Sequence, residues 1–358
     1  MEKNFTKDGL ILLNKSKGVS SFGAINHLKK VMKAKKVGHA GTLDPMAEGL
    51  MIVMINEATK FSDNLMKKDK EYYVEMELGY KTDTYDSEGT VVEKYTSEIN
   101  ISDSEIIQAV NSFKGKVKQI PPMYSAIKID GKKLYDLARK GIEVERAERN
   151  VEISEIREIN IVHPKKNSEN AQNIKISFYA KVSSGTYIRS LVYDIGEKLG
   201  VFATMTRLVR TKIGRFEIED AITLEKAKAE IDKLKNLMEG KTENESFWAT
   251  KNDSAIRAEK IREIVCFVEI EYVLDYYGIN VSNVKYGKLK NGMTVIDTFK
   301  KFENISKEAS KGANVRENQK FKIYVRNKNT NVREFKGIVK IVNIRGDRIY
   351  LKRDKYFL

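Results

Sequence analysis

The stretch GHAGTLDPMAEGL, residues 38–50, decides how the first half of this chain is interpreted. It contains three glycines, which adopt backbone angles that other residues resist, and Pro45 pushes Asp44 toward an extended conformation. The stretch therefore predicts a bent, restricted loop that presents the Asp44 carboxylate. A plain tight turn explains the same residues. A phosphate-binding loop does not, because no Gly-Lys-Ser/Thr follows.

Regular secondary structure is predicted on both sides of this loop. Residues 9–41 fit a strand, a glycine turn and a helix with Ser20 or Ser21 as its N-cap. The apolar run LMIVMI, 50–55, fits a buried strand, and the alternation over 73–78 fits a half-buried one. Strands and helices are interleaved without a dinucleotide-binding glycine fingerprint, which favours an α+β fold.

Length and composition exclude several classes of protein. With 358 residues and 41% hydrophobic residues, the chain is expected to be globular and to form two domains. The apolar run Leu10–Leu13 is too short for a signal sequence or a membrane span. A single cysteine, Cys266, excludes an intrachain disulfide, and three scattered histidines argue against a zinc site. We expect a cytoplasmic protein.

Positive charge is concentrated at the carboxyl end. The chain has a formal net charge of +15, and residues 281–358 hold 20 Lys and Arg against 7 Asp and Glu, a net charge of +13. The first 280 residues therefore carry only +2. A uniform bias toward lysine for solubility would not segregate in this way, so the C-terminal part is predicted to bind a polyanion, with nucleic acid as the first candidate.

The same pattern predicts the domain boundaries. Residues 1–236 are expected to form the larger domain, with an insert at about 121–150 that combines a proline-containing loop and a basic helix. Residues 237–260 are polar and lose periodicity, which is typical of a linker. Residues 261–358 contain several short β-rich segments and are expected to form a small basic domain.

Seven motifs follow one another along the chain. They are NKSKGVSSF (14–22), GHAGTLDPMAEGL (38–50), NEATKFS (56–62), KEYYVEMELGYKTDTYDSEG (70–89), PPMYSAIKIDGKKLYDLARKGIEVERAER (121–149), SSGTYIRSLVYDIGEKLG (183–200) and TRLVRTKIGRF (206–216). Together and in this order they resemble those of the bacterial tRNA pseudouridine-55 synthase family, which isomerises a uridine in the TΨC arm. The resemblance extends from about residue 9 to residue 225 and continues weakly beyond it.

The resemblance implies roles for five residues. Asp44 matches the nucleophile that attacks the flipped-out uridine nucleotide, and Arg189 matches the arginine that pairs with it and favours its charged form. Tyr72 matches a tyrosine that stacks on the base and assists proton transfer. Leu208 matches an apolar residue of the pocket, and His39 matches a histidine that inserts into the T-loop and helps to expel the target base.

The resemblance also implies the architecture and the partners. We expect an α+β pseudouridine-synthase-like catalytic domain, with a mixed, mainly antiparallel sheet flanked by helices, and a small C-terminal β-barrel RNA-binding domain of the PUA-like type. No metal and no cofactor are expected. The expected partner is the T-arm stem-loop of tRNA, bound by a monomer that needs no protein partner and no membrane.

Two residues depart from the family pattern. Ser16 stands where the family usually has proline. Glu48 places a second carboxylate near Asp44, and we expect the Glu48 side chain to face solvent or a neighbouring base.

Two alternative functions remain open. One alternative function is a non-catalytic RNA-folding factor on the same scaffold. The other is a guide-RNA-dependent relative that requires partner proteins.

Overall fold

The computed structural model describes residues 8–129, 131–164, 173–239, 267–269, 276–298, 302, 315–327 and 329–357. The chain forms two compact units, one built from 11–53 and 62–267 and the other from 268–358 together with 7–10 and 54–61. Most of the linker expected at 237–260 lies outside the described residues. The domain boundaries expected from the sequence therefore stay predictions.

Fourteen strands are described between residue 8 and residue 239. They are β1 (Gly9–Lys15), β2 (Val37–His39), β3 (Glu48–Ile55), β4 (Lys70–Leu78), β5 (Tyr80–Thr82), β6 (Val91–Lys94), β7 (Gly115–Gln119), β8 (Lys128–Ile129), β9 (Lys132–Lys133), β10 (Arg149–Val162), β11 (Lys175–Val182), β12 (Ala203–Ile213), β13 (Phe216–Glu217) and β14 (Ile222–Thr223).

The helices of the same part of the chain are fewer and mostly short. They are α1 (Ser21–Met32), α2 (Ser62–Met66), α3 (Asp103–Asn111), α4 (Leu134–Ala138), α5 (Ile188–Leu199) and α6 (Leu224–Glu239), with 3-10 helices at Asn56–Phe61 and Ile218–Asp220.

A mixed sheet organises the first unit. Its main path has the order β14-β1-β3-β12-β4-β11-β10-β7. β1 pairs with β14 and β3 with β12 in parallel, whereas β12, β4, β11, β10 and β7 pair successively antiparallel. Alternate residues of β4 and β11 face a core closed by α3 and α5, and Phe178 at its centre is fully buried. Burying such a side chain contributes about 1.5–3 kcal/mol.

Several local expectations are confirmed. Ser20 is the N-cap of α1, where its hydroxyl accepts a hydrogen bond from the Gly23 amide at 3.0 Å. The apolar run at 50–55 lies in the almost completely buried β3. The basic helix expected in the insert is shorter than its sequence suggests. Its helical structure is limited to α4, which follows the small β8–β9 hairpin.

The second unit is mainly β. Its described elements are β16 (Tyr277–Asn280), α7 (Asn283–Lys290), β17 (Val295–Thr298), β18 (Lys320–Arg326), β19 (Arg333–Arg345) and β20 (Arg348–Phe357), while β15 (Phe267–Glu269) lies at the boundary between the units in sequence. The five strands β16 to β20 form a sheet in the order β16-β18-β19-β20-β17 around a separate apolar core. In the part of the chain described, β16 and β17 are not joined, so the closed barrel stays a prediction. No helix among the described residues is long and apolar enough to cross a membrane.

Candidate active site

The Asp44 loop, residues 38–50, is held against the start of α1. The Ser21 hydroxyl donates to the Leu43 carbonyl and accepts from the Leu43 amide, both at 2.8 Å and both buried. The Gly18 amide donates to the Pro45 carbonyl at 2.8 Å. These bonds fix the residues on both sides of Asp44, so the loop presents its carboxylate as the sequence predicts.

Arg210 of β12 holds the same loop from the other side. Its guanidinium is buried and donates to the carbonyl oxygens of Leu50 at 2.7 Å, Gly41 at 3.2 Å and Thr42 at 3.5 Å. Gly49 pairs with Arg210 at a φ of 103°, and a Cβ there would lie 2.4 Å from the Arg210 carbonyl oxygen. Only glycine allows the loop to approach β12 so closely.

Asp44 and Arg189 form the central ion pair. Arg189, in the first turn of α5, places Nη2 2.9 Å from Asp44 Oδ2, and its side chain is only 5% exposed. Two further hydrogen bonds hold the guanidinium: Nη1 donates to the Thr84 carbonyl at 3.0 Å and Nη2 to the Tyr124 carbonyl at 2.7 Å. The guanidinium is therefore fixed in place, while the Asp44 side chain remains 37% exposed and accessible to a substrate.

Asp86 is a second carboxylate at this site and was missed by the sequence analysis. It is buried, and its Oδ2 lies 3.7 Å from Arg189 Nη1. Its Oδ1 accepts from the Thr84 hydroxyl at 2.7 Å and from the Glu88 amide at 3.1 Å, which fixes the turn that also supplies the Thr84 carbonyl. The expectation for Glu48 is confirmed, since its carboxylate lies 3.6 Å from Arg207.

Opposing influences act on the pKa of Asp44. Burial raises the pKa of Asp44 above its ordinary value, Arg189 and Lys15 oppose the shift, and Asp86 adds to it. Arg189 thus stabilises the charged carboxylate, as the resemblance implies, but does not outweigh burial. The ionised form that a nucleophile requires therefore depends on these two cations.

Lys15 is a buried cation behind the Asp44 loop. Its ammonium donates to the Val19 carbonyl at 2.7 Å and to the Pro45 carbonyl at 3.4 Å, although Ser16 replaces the usual proline beside it. Burial lowers the pKa of Lys15 to about 8, and the attraction of Asp44 opposes that shift. Lys15 therefore supports the loop and contributes positive charge near the carboxylate.

His39 lies at the end of β2, at the start of the same loop. Burial lowers the pKa of His39, and the charge of Arg210 lowers it further. The imidazole is therefore neutral at physiological pH and can stack or form hydrogen bonds without titrating. Its Nδ1 atom is buried and has no hydrogen-bond partner among the described residues, and in that part of the chain no group of three His, Cys, Asp or Glu side chains is placed to hold a metal ion.

Tyr72 and Leu208 lie on adjacent antiparallel strands, β4 and β12. Both are buried in the apolar cluster that also contains Leu43 and Met46, the residues that flank the Asp44–Pro45 pair. Tyr73 lies on the opposite face of β4, where its ring packs 5.2 Å from that of Tyr179. The structure thus brings Tyr72 and Leu208 to the apolar side of the Asp44 loop.

The base of the 121–150 insert is bonded to the start of α5. Gln119 exchanges two hydrogen bonds with the Tyr187 backbone, at 2.8 and 3.0 Å, and the Ser190 hydroxyl donates to the Ile120 carbonyl at 2.8 Å. Because the Tyr124 carbonyl also accepts from Arg189, the insert and the ion pair share one bonded network.

Two family models match this chain. Residues 29–188 match the model of the N-terminal domain of TruB family pseudouridylate synthases, and residues 189–258 match the tRNA pseudouridylate synthase B C-terminal domain. The chain belongs to the TruB family of pseudouridylate synthases. The enzyme class expected from the sequence is therefore confirmed.

Relatives of this TruB family enzyme include tRNA pseudouridine synthase B of Fusobacterium nucleatum, 50% identical over 212 residues that cover 59% of this chain and 70% of the relative. The enzyme of the same name from Clostridium perfringens strain 13 is 44% identical over 291 residues, which cover 81% and 85%. A solved Cbf5-Nop10-Gar1 complex has a similar fold, with a TM-score of 0.60 and 21% identity over 97% of this chain and 85% of that chain. The expected pseudouridine-synthase fold, a mixed sheet with helices, is confirmed.

Proposed function

We propose that this enzyme converts the uridine at position 55 of the tRNA T arm to pseudouridine without a protein partner. The observation that carries the proposal is the contact between Asp44 and Arg189, at 2.9 Å in the loop that matches the family's catalytic motif. The relatives named tRNA pseudouridine synthase B support tRNA as the substrate.

In the proposed reaction Asp44 is the nucleophile. The carboxylate attacks the flipped-out nucleotide, the bond between uracil N1 and ribose C1′ breaks, the base rotates, and C5 joins C1′ while the bond to Asp44 breaks and frees the carboxylate. The proton lost from C5 is balanced by the proton gained at N1, so product and substrate are isomers. Arg189 and Lys15 keep Asp44 charged, and Asp86 holds Arg189 in position.

The neighbouring side chains have supporting roles in this proposal. Tyr72 stacks on the uracil and assists proton transfer at C5, and Leu208 forms part of the apolar wall that retains the detached base. His39 inserts into the T loop and helps to expel the target base. The neutral, half-buried imidazole supports a contact with a nucleotide.

We further propose that residues 261–358 form a PUA-like β-barrel that binds the RNA backbone. Its support is the net charge of +13 over residues 281–358 and the five-stranded sheet of the second unit. In this arrangement residues 1–236 are the catalytic domain, with the insert at about 121–150 gripping the RNA. The enzyme acts as a cytoplasmic monomer and needs neither metal nor cofactor.

The decisive experiment is incubation of the purified protein alone with an unmodified tRNA transcript, followed by mapping of pseudouridine. Formation at position 55 by the wild type, and none by Asp44→Asn, is the expected result. Tight binding with no pseudouridine would indicate a non-catalytic folding factor instead. Activity that required an added guide RNA and partner proteins would indicate the guide-dependent alternative.

A further inference from the structure

A second basic segment lies in the first unit, at the start of the chain. Residues 9–43 contain seven lysines and no Asp or Glu. The other 245 of the first 280 residues carry 38 Lys and Arg against 43 Asp and Glu, a net charge of −5. The net charge of +2 over these 280 residues is therefore the sum of a basic segment immediately before Asp44 and an acidic remainder.

Two of the seven lysines lie on one side of α1. Ala24, Ile25, Leu28 and Met32 are buried. The opposite side, which we call the α1 face, follows the helical spacing i, i+4, i+7 and i+8, so its members fall within a sector of about 100°. The α1 face consists of Phe22, Asn26, Lys29 and Lys30.

Phe22 is exposed at the end of the α1 face that adjoins the Asp44 loop. Its side chain is 68% accessible, although it is a large aromatic residue. Its neighbour Ser21 is bonded twice to Leu43, the residue before Asp44. The α1 face therefore starts beside the proposed nucleophile and extends away from it for about 12 Å over eight residues.

We propose that the α1 face is an RNA-binding surface on which Phe22 stacks against an unpaired base and the lysines contact phosphates. This inference rests on the proposed function, because it assigns a further contact to the same RNA substrate. A phenyl ring has no hydrogen-bonding group, so stacking is the contact that it offers a base. Lysines beside an exposed aromatic residue combine the two interactions that bind unpaired RNA, phosphate contact and base stacking.

The test measures tRNA affinity of the full-length protein over a range of salt concentrations. Lys29→Gln/Lys30→Gln should flatten the slope of log affinity against log salt by about 1.4–1.8, since each phosphate contact contributes about 0.7–0.9. Phe22→Ala should weaken binding about fivefold or more and leave the slope unchanged, and Phe22→Trp should retain wild-type affinity. Thermal unfolding establishes that each variant is folded.

Matched control variants remove equivalent groups elsewhere in the first unit. Lys175→Gln/Lys181→Gln removes two exposed charges from β11, where the residues face Glu77 and Glu71 across β4. Ile107→Ala removes an exposed apolar side chain from α3. Both controls should bind tRNA with the wild-type affinity and salt slope.

The outcomes separate this inference from the function on which it rests. If the wild type forms pseudouridine but the α1-face variants match the controls in affinity and slope, the α1 face does not contact RNA. Loss of affinity in Phe22→Ala that tryptophan fails to restore overturns the stacking contact. If the wild type forms no pseudouridine, the proposed function is wrong, whereas the salt slopes still decide whether the α1 face binds RNA.

Discussion

Replacing Arg210 by lysine should loosen the Asp44 loop while retaining the positive charge. Arg210 donates to three carbonyl oxygens, those of Leu50, Gly41 and Thr42, at 2.7, 3.2 and 3.5 Å. A lysine ammonium reaches one of them, so two acceptors lose a charged donor. Since hydrogen bonds to charged groups contribute about 1.5–3 kcal/mol each and one of these is long, we expect a loss of about 3–4 kcal/mol of unfolding free energy.

In a unit of this size about 1 kcal/mol changes Tm by about 2–4 °C, so Tm should fall by about 6–16 °C. The single-turnover rate of pseudouridine formation, measured well below that Tm, should fall about 100-fold, because a displaced loop misplaces Asp44. Arg207→Lys is the matched control on the same strand: its side chain is 45% exposed and bonds to carboxylates at the surface. It should cost less than about 1 kcal/mol. Equal Tm values for the two variants would refute the role assigned to Arg210.

The remaining predictions concern the charges around the site. Asp44→Asn should abolish isomerisation while tRNA affinity stays near wild type, and a residual rate within about tenfold of wild type would exclude Asp44 as the nucleophile. Because the pKa of Asp44 is raised, the single-turnover rate should decline, as pH falls, at a higher pH than an ordinary aspartate would dictate. Asp86→Asn should move that decline to lower pH, and a shift to higher pH would contradict the assigned repulsion. Enzyme treated with chelator should remain fully active on an isolated T-arm stem-loop, whereas activity that is lost and then restored by zinc or manganese would show that a metal takes part. With the pKa of Lys15 at about 8 in place of 10.5, the unfolded chain binds a proton that the native protein lacks between those values. The unfolding free energy of the wild type should therefore rise from pH 8 to 9.5 relative to that of Lys15→Met, by up to about 1.4 kcal/mol per pH unit. Parallel plots of unfolding free energy against pH for the two proteins would show that Lys15 is not buried as a cation.

Elements with a strong local signal could be predicted from the sequence alone. The apolar run of β3 and the Ser20 cap of α1 each depend on residues close together in the chain. The Asp44 loop could be predicted for the same reason, since Pro45 and the glycines restrict it locally. The pairing of Asp44 with Arg189 could not, because it joins distant parts of the chain, and only the family resemblance indicated it.

Strand β12 shows why other parts of the site could not be predicted. Arg207, Arg210 and Lys212 interrupt its apolar pattern, so the segment resembles an exposed strand or a loop. Arg210 is nevertheless buried, since carbonyl groups of a distant loop satisfy its donors. Asp86 was missed for the same reason. A carboxylate in the polar turn TDTYDSEG is expected to be exposed at the protein surface, whereas tertiary packing buries Asp86 beside Arg189.

The distance in sequence between the parts of the site has a consequence for the order of folding. Asp44 is synthesised early, but its ion-pair partner Arg189 and the loop-binding Arg210 are synthesised much later. The hydrogen bond from Arg210 to the Leu50 carbonyl spans 160 residues of sequence. At about 5–20 residues per second, translation leaves the loop without these contacts for about 8–30 s. A nascent chain that ends before β12 therefore contains the Asp44 loop without the contacts that complete the active site. Isomerase activity should emerge only when β12 has joined the sheet.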